Sequence, residues 1–257
     1  MPIDFHSTAN RLTYTRRTAG DDWGRAVRAL VEPRGARVAD IGCGGGVYSA
    51  AWLDLGAASV VGVDFSSAML AGARERCGPR PGLSFRQGDA AATGLPDAGV
   101  DIVFARALIH HLDDLRACCA EAYRILAPGG RLIVQDRTIE DVSRPGSAEH
   151  LRGFFFEGFP ALLEVERARR PSSEGVTAAL RAAGFDAVRA RPLVEVRRTY
   201  ADRAEVRSDL LARTGRSILH ELDEAQLAAL ADHIEARLPN GAAIRESDHW
   251  TVWTGVR

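Results

Sequence analysis

The chain has 257 residues, and its 33 basic and 34 acidic side chains give a formal net charge of −1. All 33 basic residues are arginine, which excludes a lysine nucleophile or a lysine Schiff base. A chain of this length can bury a large core without disulfides or a structural metal. The near-neutral charge argues against a dedicated polyanion-binding protein, whose binding surface carries a basic excess. We therefore expect no nucleic-acid partner.

The N-terminal residues, the aliphatic runs and the cysteines bear on the expected cellular location of the protein. The first residues lack the basic start and apolar stretch of a signal peptide, and the longest aliphatic runs, such as 60–63, are too short to span a bilayer. We therefore expect a cytoplasmic protein with no membrane partner. The four cysteines are Cys43, Cys77, Cys118 and Cys119. They form no Cys-x-x-Cys pair, so we expect reduced structural thiols and no metal site.

Short apolar segments alternate with helical patterns through the first half of the chain, which is typical of βαβ units that build a parallel sheet. The first predicted helix is opened by Asp21 and closed by Pro33. The other predicted helices of this half are Val47–Leu55, Ser67–Cys77 and Asp114–Leu126. The predicted strands are Arg37–Ile41, Ser59–Asp64, Leu83–Arg86, Val100–Phe104 and Arg131–Gln135.

The pattern changes after Asp136, because residues 137–171 contain no strand pattern. They do contain Phe154, Phe155, Phe156 and Phe159, for which we favour a buried core over a helical lid above an apolar ligand. The elements predicted after this segment are the helix Gly175–Ala183, the strand Leu193–Tyr200, the helices Arg203–Leu211 and Glu224–Leu238, and the strand Trp250–Val256.

These elements predict one α/β domain with a Rossmann-like, doubly wound fold. Its seven-stranded sheet is mostly parallel with an antiparallel last strand. We expect the domain core at about 24–136, 174–200 and 243–257, helical additions at about 137–171 and 201–240, and an N-terminal cap at 1–23.

The strongest motif joins the first strand to its helix, where Asp40 is followed by Gly42, Gly44 and Gly46. Glycines allow a ligand at the strand end to approach the backbone closely, where side chains would block it. Asp64 ends the second strand 24 residues after Asp40, about where nucleotide-binding sheets place an acid for the ribose hydroxyls. Asp89 follows the third strand, where an acid can meet an adenine amino group.

A nicotinamide cofactor is the alternative ligand for this loop, and two residues disfavour it. The Gly-x-Gly-x-x-Gly pattern that begins at Gly42 requires Gly or Ala at position 47, where Val47 stands. A pyrophosphate also prefers N–H donors, whereas Asp40 places negative charge beside the loop. An acid at this point suits a ligand that carries an ammonium group.

In its motifs from Val38 to Gln135 the sequence resembles the class I S-adenosylmethionine-dependent methyltransferases, particularly the type 11 small-molecule group. The resemblance includes the later segments Gly88–Ala90, Ala107–Leu112 and Leu126–Gly130. It implies S-adenosyl-L-methionine as cofactor, bound by Asp40, Gly42, Gly44 and Gly46 at the methionine part, Asp64 at the ribose, Asp89 and Ala90 at the adenine edge, Phe65 and Met69 at the adenine faces, and Arg106 near the sulfonium.

Catalysis of methyl transfer requires donor and acceptor to be held about 3–3.5 Å apart, with a base if the acceptor carries a proton. Among the side chains expected at the pocket edge, only histidine titrates near neutral pH unperturbed. Of the adjacent pair we choose His111 as the catalytic base, because His110 follows Ile109 off the strand end and is expected in packing or at a helix start. Asp136 at the end of the fifth strand is the competing base.

The sequence thus predicts a methyltransferase that acts on a small molecule, at oxygen, nitrogen, carbon or sulfur. Two alternatives stay open. One is a tRNA-modifying methyltransferase, because the Ile109–Leu112 form also occurs among tRNA wobble-uridine enzymes, although no basic tail supports it. The other is a protein that binds S-adenosylmethionine and has a non-methylating activity. The acceptor and the oligomeric state are not encoded in these motifs.

Overall fold

The computed structural model describes residues 19–257, so the predicted N-terminal cap lies outside the described residues except for its last five. The chain divides into two compact units. Within the described residues, the first unit contains 19–136, 171–193 and 251–257, and the second unit contains 137–170 and 194–250. The first unit overlaps the predicted core, but residues 194–200 and 243–250, which were predicted to belong to that core, are grouped with the second unit. A single methyltransferase domain stays a prediction.

The elements of the first half follow the predicted order. The helices are α1 (Asp21–Arg28), α2 (Val47–Asp54), α3 (Ser67–Cys77) and α4 (Leu115–Ile125). The strands are β1 (Arg37–Ile41), β2 (Ser59–Asp64), β3 (Leu83–Gln87), β4 (Val100–Arg106) and β5 (Leu126–Asp136). A short 3₁₀ turn, Ile109–His111, lies between β4 and α4. Strand β5 begins five residues earlier than predicted, with a shift of register against β4 between Val100 and Ile102.

The second half adds six helices and two long strands. The helices are α5 (Ile139–Val142), α6 (Leu151–Gly158), α7 (Ala161–Arg169), α8 (Ser173–Ala182), α9 (Arg203–Leu211) and α10 (Glu224–Glu235). The strands are β6 (Asp186–Tyr200) and β7 (Ile244–Val256), and each begins six or seven residues before its predicted start. Another 3₁₀ segment, Ser217–Glu221, precedes α10.

The seven strands form one sheet in the order β3-β2-β1-β4-β5-β7-β6. Strands β1 to β5 pair in parallel, and β7 pairs antiparallel with β5, as in the match of Val134 with Trp253. The predicted mostly parallel, seven-stranded sheet is therefore confirmed. Because β1 to β5 are parallel, their carboxyl ends lie along one edge, and residues that follow these strands are brought together there.

Both faces of the parallel sheet are covered with apolar side chains, as the near-continuous apolar strands require. One face packs Ile102, Phe104 and Ile133 against α1 and α2, with Trp23 and Trp52 at its centre. The other face packs Val103, Val134 and their neighbours against α4 and α8. Trp52 is fully buried and meets Trp23 and Phe104 edge to face, with ring centroids 5.6 and 5.5 Å away.

The second unit has its own apolar core. Phe154, Phe155 and Phe156 of α6 are buried in it together with side chains of α9 and α10. Phe159 is partly buried and packs against the same core. These positions favour the core interpretation of the aromatic cluster over that of a lid.

A buried ionic network in the second unit explains part of the unpredicted length of β7. Arg216 donates to Glu246 on β7 at 2.7 Å and to Asp209 on α9. The Tyr200 hydroxyl lies 2.9 Å from an oxygen of each carboxylate and can donate its one hydrogen to either of them. Glu246 therefore points inward from a stretch of β7 that looks polar, so its burial depends on partners distant in sequence.

Three further observations bear on the sequence predictions. Among the described residues no helix is long and apolar enough to cross a membrane. In the same part of the chain no group of three or more His, Cys, Asp or Glu side chains is arranged to hold a metal ion. The four cysteines are free thiols, and burial raises the pKa of Cys118 and Cys119 to about 12.

Trp52 provides a test of how the first unit is packed. Among the described residues its indole N–H has no hydrogen-bond partner, so the ring contributes through apolar and aromatic contacts. Trp52→Phe removes this unsatisfied donor and keeps an aromatic ring, and we expect it to lower the free energy of unfolding by about 2 kcal/mol or less. Trp52→Ala leaves a cavity and should cost about 3–5 kcal/mol. Urea unfolding of the three proteins checks this, and equal losses in both variants would contradict it.

Candidate functional site

The loop between β1 and α2 has a backbone that only glycine adopts readily. Gly42, Gly44 and Gly46 have φ angles of +70°, +50° and +71°, in the left-handed region. A Cβ at Gly46 would lie 2.8 Å from Phe85 Cζ, so close packing also requires glycine there. Among the described residues, no atom lies within 4 Å of the position that a Cβ at Gly44 would take, so a ligand can lie against this part of the loop.

Asp64 holds this loop in place from the end of β2. Its Oδ2 accepts a hydrogen bond from Gly44 N at 2.8 Å, and its Oδ1 accepts one from Ser66 N at 2.9 Å. The carboxylate is buried and thus fixes the positions of two backbone segments at the edge of the sheet. Its place beside the glycine loop fits the predicted contact with ribose hydroxyls, since a carboxylate has about four acceptor sites.

Asp40 lies one residue before the end of β1 and is 2% exposed. Ser49 Oγ on α2 donates to Asp40 Oδ2 at 2.6 Å, a contact that sequence reasoning missed. Burial raises the pKa of the Asp40 carboxyl to about 7, and the nearby charge of Asp64 raises it further, while Ser49 and Arg106 act in the opposite direction. A ligand ammonium group would favour the ionised carboxylate here.

The residues predicted to contact adenine differ in their exposure. Phe65 follows Asp64 directly and is 44% exposed. Met69 is buried on α3, whose first turn is capped by Ser66 Oγ accepting from Met69 N at 3.2 Å. Asp89 is exposed and accepts from Ala91 N at 2.8 Å, and Ala90 is partly buried against the core. Gln87 joins these segments by donating to Phe65 O at 3.0 Å.

Arg106 ends β4 and is partly buried. Its guanidinium carbon lies 4.3 Å from the centroid of the Tyr48 ring, a cation–π contact that the sequence did not indicate. Tyr48 is the second residue of α2, so the glycine loop that starts this helix also sets the position of the Arg106 side chain.

The structure brings Asp136 to His110 rather than to His111. His110 Nδ1 lies 2.8 and 3.0 Å from the two carboxylate oxygens of Asp136, and both side chains are buried. His111 is exposed, with its ring centroid 4.0 Å from that of His110. The two rings are in contact, and the 3₁₀ turn Ile109–His111 leaves His110 buried and His111 exposed. Asp136 therefore pairs with the histidine that sequence reasoning had assigned to packing, and the role of His111 stays a prediction.

These residues fit S-adenosylmethionine by their chemistry. The ammonium group of its methionine part matches buried Asp40, its ribose diol matches Asp64, and its adenine matches exposed Phe65 and Asp89. In the part of the chain that the structure describes, the space beside Gly44 leaves room for a ligand against the backbone. The residues predicted to contact the cofactor thus lie at the carboxyl edge of β1, β2 and β3 in the first unit.

The raised pKa of Asp40 predicts that the free energy of unfolding of wild type falls, relative to that of an Asp40→Asn variant, as pH rises. The folded protein holds a proton on Asp40 up to about pH 7, whereas the unfolded chain releases it near pH 4, so stability is lost as pH rises between these values. Asp40→Asn removes this loss and can still accept from Ser49. We expect the variant to gain roughly 1–3 kcal/mol relative to wild type between pH 5 and pH 8. Urea unfolding of both proteins at pH 5 and pH 8 measures this gain. The prediction is contradicted if the variant and wild type differ in unfolding free energy by the same amount at both pH values.

Part of the chain is similar to known proteins. Residues 39–134 match the family described as "Methyltransferase domain". A malonyl-[acyl-carrier protein] O-methyltransferase of Serratia marcescens is 32% identical over 114 residues, which cover 44% of this chain and 43% of the relative. A demethylmenaquinone methyltransferase of Beutenbergia cavernae is 36% identical over 140 residues, covering 53% and 55%. The chain therefore spans about half the length of these curated relatives.

Solved structures share the fold over most of the chain. A putative methyltransferase from an antibiotic biosynthesis pathway of Anabaena variabilis has a TM-score of 0.69 at 23% identity, covering 90% of this chain and 96% of that one. A Haemonchus contortus phosphoethanolamine N-methyltransferase 2, solved with S-adenosylhomocysteine, has a TM-score of 0.62 at 19% identity, covering 99% and 60%. The predicted fold is confirmed, and the segment that carries most of the predicted motifs, residues 39–134, matches the methyltransferase-domain family.

Proposed function

We propose that the protein transfers a methyl group from S-adenosylmethionine to a small molecule. The observation that carries this proposal is the contact of Asp64 with Gly44 N, which fixes an acid against a left-handed glycine loop at the sheet edge. Two of the relatives are named for small or carrier-bound acceptors, malonyl-[acyl-carrier protein] and demethylmenaquinone. The net charge of −1 supports a small acceptor over a polyanion.

When bound, S-adenosylmethionine supplies a methyl group on a positively charged sulfur that is its own leaving group. The protein's part is to orient the donor and the acceptor and to manage a proton. In this proposal Asp64 holds the ribose, Asp40 holds the ammonium group, and Phe65 and Asp89 hold the adenine. Gly42, Gly44 and Gly46 allow the backbone to lie against the methionine part, and Ala90, Met69 and Arg106 complete the binding residues.

The buried pair of His110 and Asp136 supports a general base for an acceptor that carries a proton. A carboxylate beside Nδ1 favours the tautomer with its proton on that nitrogen, which leaves Nε2 as the basic atom. His110 follows β4 and Asp136 ends β5, so the pair lies at the edge where the carboxyl ends of the parallel strands meet. We propose His110 as the base and Asp136 as its positioning residue, with His111 as the competing candidate.

The function is tested by following radiolabelled methyl from S-adenosylmethionine into a panel of phenols, amines, carboxylic acids and thiols, and into bulk tRNA. We expect label in a small-molecule fraction. Asp64→Asn should weaken cofactor binding by roughly 10- to 150-fold in calorimetry, because charge-assisted hydrogen bonds to the ribose are lost. Asp54→Asn, a change at an exposed acid of α2, is the matched control and should leave binding unchanged.

Three outcomes would overturn parts of this proposal. Label confined to tRNA would favour the tRNA-modifying alternative. Cofactor binding without methyl transfer to any acceptor would favour a non-methylating protein. Wild-type protein that does not bind the cofactor at all would exclude the assigned site.

The base is tested with three variants on whichever acceptor is methylated. His110→Gln should lower kcat by roughly 10²–10⁴ with cofactor affinity retained. Asp136→Asn should lower kcat and move the acidic limb of the pH profile to lower pH, because loss of the carboxylate charge lowers the histidine pKa. His111→Gln is the control and should change kcat less than about threefold. A large loss in His111→Gln, with more than a third of the activity kept in His110→Gln, would reverse the assignment.

A further inference from the structure

The connection from β3 to β4 carries both residues predicted at the adenine edge, Asp89 and Ala90. We call residues 88–99 the adenine-edge segment. As the structure describes it, this segment contains no helix, although it joins two strands that are not neighbours in the sheet. Because backbone outside helices and ladders opens easily, the position of the segment depends on the contacts that hold it.

The first half of the adenine-edge segment is a tight turn. Asp89 Oδ1 accepts from Ala91 N at 2.8 Å, and the Asp89 carbonyl oxygen accepts from Ala92 N at 3.0 Å. A Cβ at Gly88 would lie 2.7 Å from the Thr93 carbonyl oxygen, so the backbones of these two residues are in close contact. A contact that holds Thr93 therefore also fixes Asp89.

Glu121 on α4 provides such a contact. Its Oε1 accepts from Thr93 N at 2.8 Å and from Thr93 Oγ1 at 2.5 Å, and Glu121 and Thr93 are both buried. Arg124, one turn further along α4, donates to Glu121 Oε2 from Nε at 2.7 Å and to Oε1 from Nη2 at 2.8 Å. The same Nη2 donates to the Leu95 carbonyl oxygen at 2.8 Å, so Arg124 contacts the adenine-edge segment as well.

The carboxylate of Glu121 is well suited to this position. Its two oxygens offer about four acceptor sites, and two donors of Thr93 and two of Arg124 fill them. Burial acts to raise the pKa of the Glu121 carboxyl, but the hydrogen bonds from Arg124 and Thr93 outweigh it and hold the pKa below its ordinary value. The carboxylate is therefore ionised at pH 7, and its hydrogen bonds to Thr93 are charge-assisted.

Accurate placement of an acid matters most where a site recognises a ligand by one polar group. An acid that accepts from the adenine amino group disfavours a ring with an oxygen at that place, because two acceptors would then face each other. A hydrogen bond weakens steeply when its length or angle departs from the ordinary range. This discrimination therefore requires the acid to be held in place.

We propose that Glu121 is a positioning residue for the cofactor: by holding Thr93 it fixes Asp89 against the adenine edge and gives the site its preference for adenine. This role rests on the proposed function, and it adds a residue of α4 that the sequence motifs did not indicate. Asp89 contacts the ligand, whereas Glu121 acts through the turn. All the residues that carry the proposal lie in the first unit.

The test compares the dissociation constants of S-adenosylhomocysteine and S-inosylhomocysteine, measured by calorimetry. The two ligands differ only in the base, where an oxygen replaces the amino group of adenine. We expect wild type to bind S-adenosylhomocysteine roughly tenfold or more tightly. Glu121→Gln should reduce this ratio by about threefold or more, because its amide replaces an acceptor oxygen with a donor that faces Thr93 or Arg124. The ratio of the two constants cancels any effect on the ribose and methionine contacts.

Thr93→Val and Thr93→Ser form a matched pair that tests the same contact from its other side. Valine keeps the shape of the side chain but lacks the hydroxyl group, so the ratio should fall as in Glu121→Gln. Serine keeps the hydroxyl group, so the ratio should stay near that of wild type. Circular dichroism establishes that each variant is folded, and the Thr93 pair decides the test if Glu121→Gln does not fold.

Ile125→Val is the control for a loss of stability alone. Ile125 is fully buried on α4, four residues after Glu121. Shortening it loosens the packing of this helix and leaves both partners of the Glu121–Thr93 contact in place. Its melting temperature should fall, whereas the ratio of the two dissociation constants should remain that of wild type.

Three results would overturn the role of Glu121. They are equal binding of both ligands by wild type, a wild-type ratio in both Glu121→Gln and Thr93→Val, and a ratio in Ile125→Val that falls as far as in those variants. In each case the cofactor site stands, because wild type still binds S-adenosylhomocysteine. Wild type that binds neither ligand would contradict the proposed function, and the role of Glu121 with it.

Discussion

The hydrogen bond from Gly44 N to Asp64 Oδ2 is the contact on which the proposed cofactor site depends. It joins the end of β2 to the loop after β1, and it holds that loop in a backbone conformation that other residues avoid. The loop fixes where α2 begins, and the first turns of α2 then place Ser49 against Asp40 and Tyr48 against Arg106. Four side chains are thus positioned through one carboxylate.

Much of this arrangement could be predicted from the sequence, because it follows from local patterns. The period of apolar residues located the parallel strands and their helices, and the spacing of the acids located Asp40 and Asp64. The contacts of Ser49 and Tyr48 could not be predicted, since helix periodicity places a residue on a face without stating what that face meets. The polar beginning of β7 was missed for a related reason, because the burial of Glu246 depends on Arg216 and Tyr200.

The choice between His110 and His111 shows the same limit at the level of single residues. Adjacent residues in a short turn point in different directions, and no pattern in Ile109–Leu112 states which histidine faces Asp136, 26 residues from His110. The contact of Arg137 with Asp248 is also non-local, because the two residues lie far apart in the sequence. An all-arginine composition favours buried ion pairs of this kind, since a guanidinium group keeps its charge when buried more readily than an ammonium group does.

The stacking of Arg137 on Trp250 makes this indole an optical reporter. The chain has four tryptophans, and Trp250 is the one in the second unit, whereas Trp23, Trp52 and Trp253 lie in the first. The emission of an indole responds to charge held against its ring, so a protein with phenylalanine at the other three positions would have Trp250 as its one tryptophan, with the Arg137 guanidinium against its ring. Changes of charge beside Trp250 would then be measured as shifts of its fluorescence emission wavelength, without any added label.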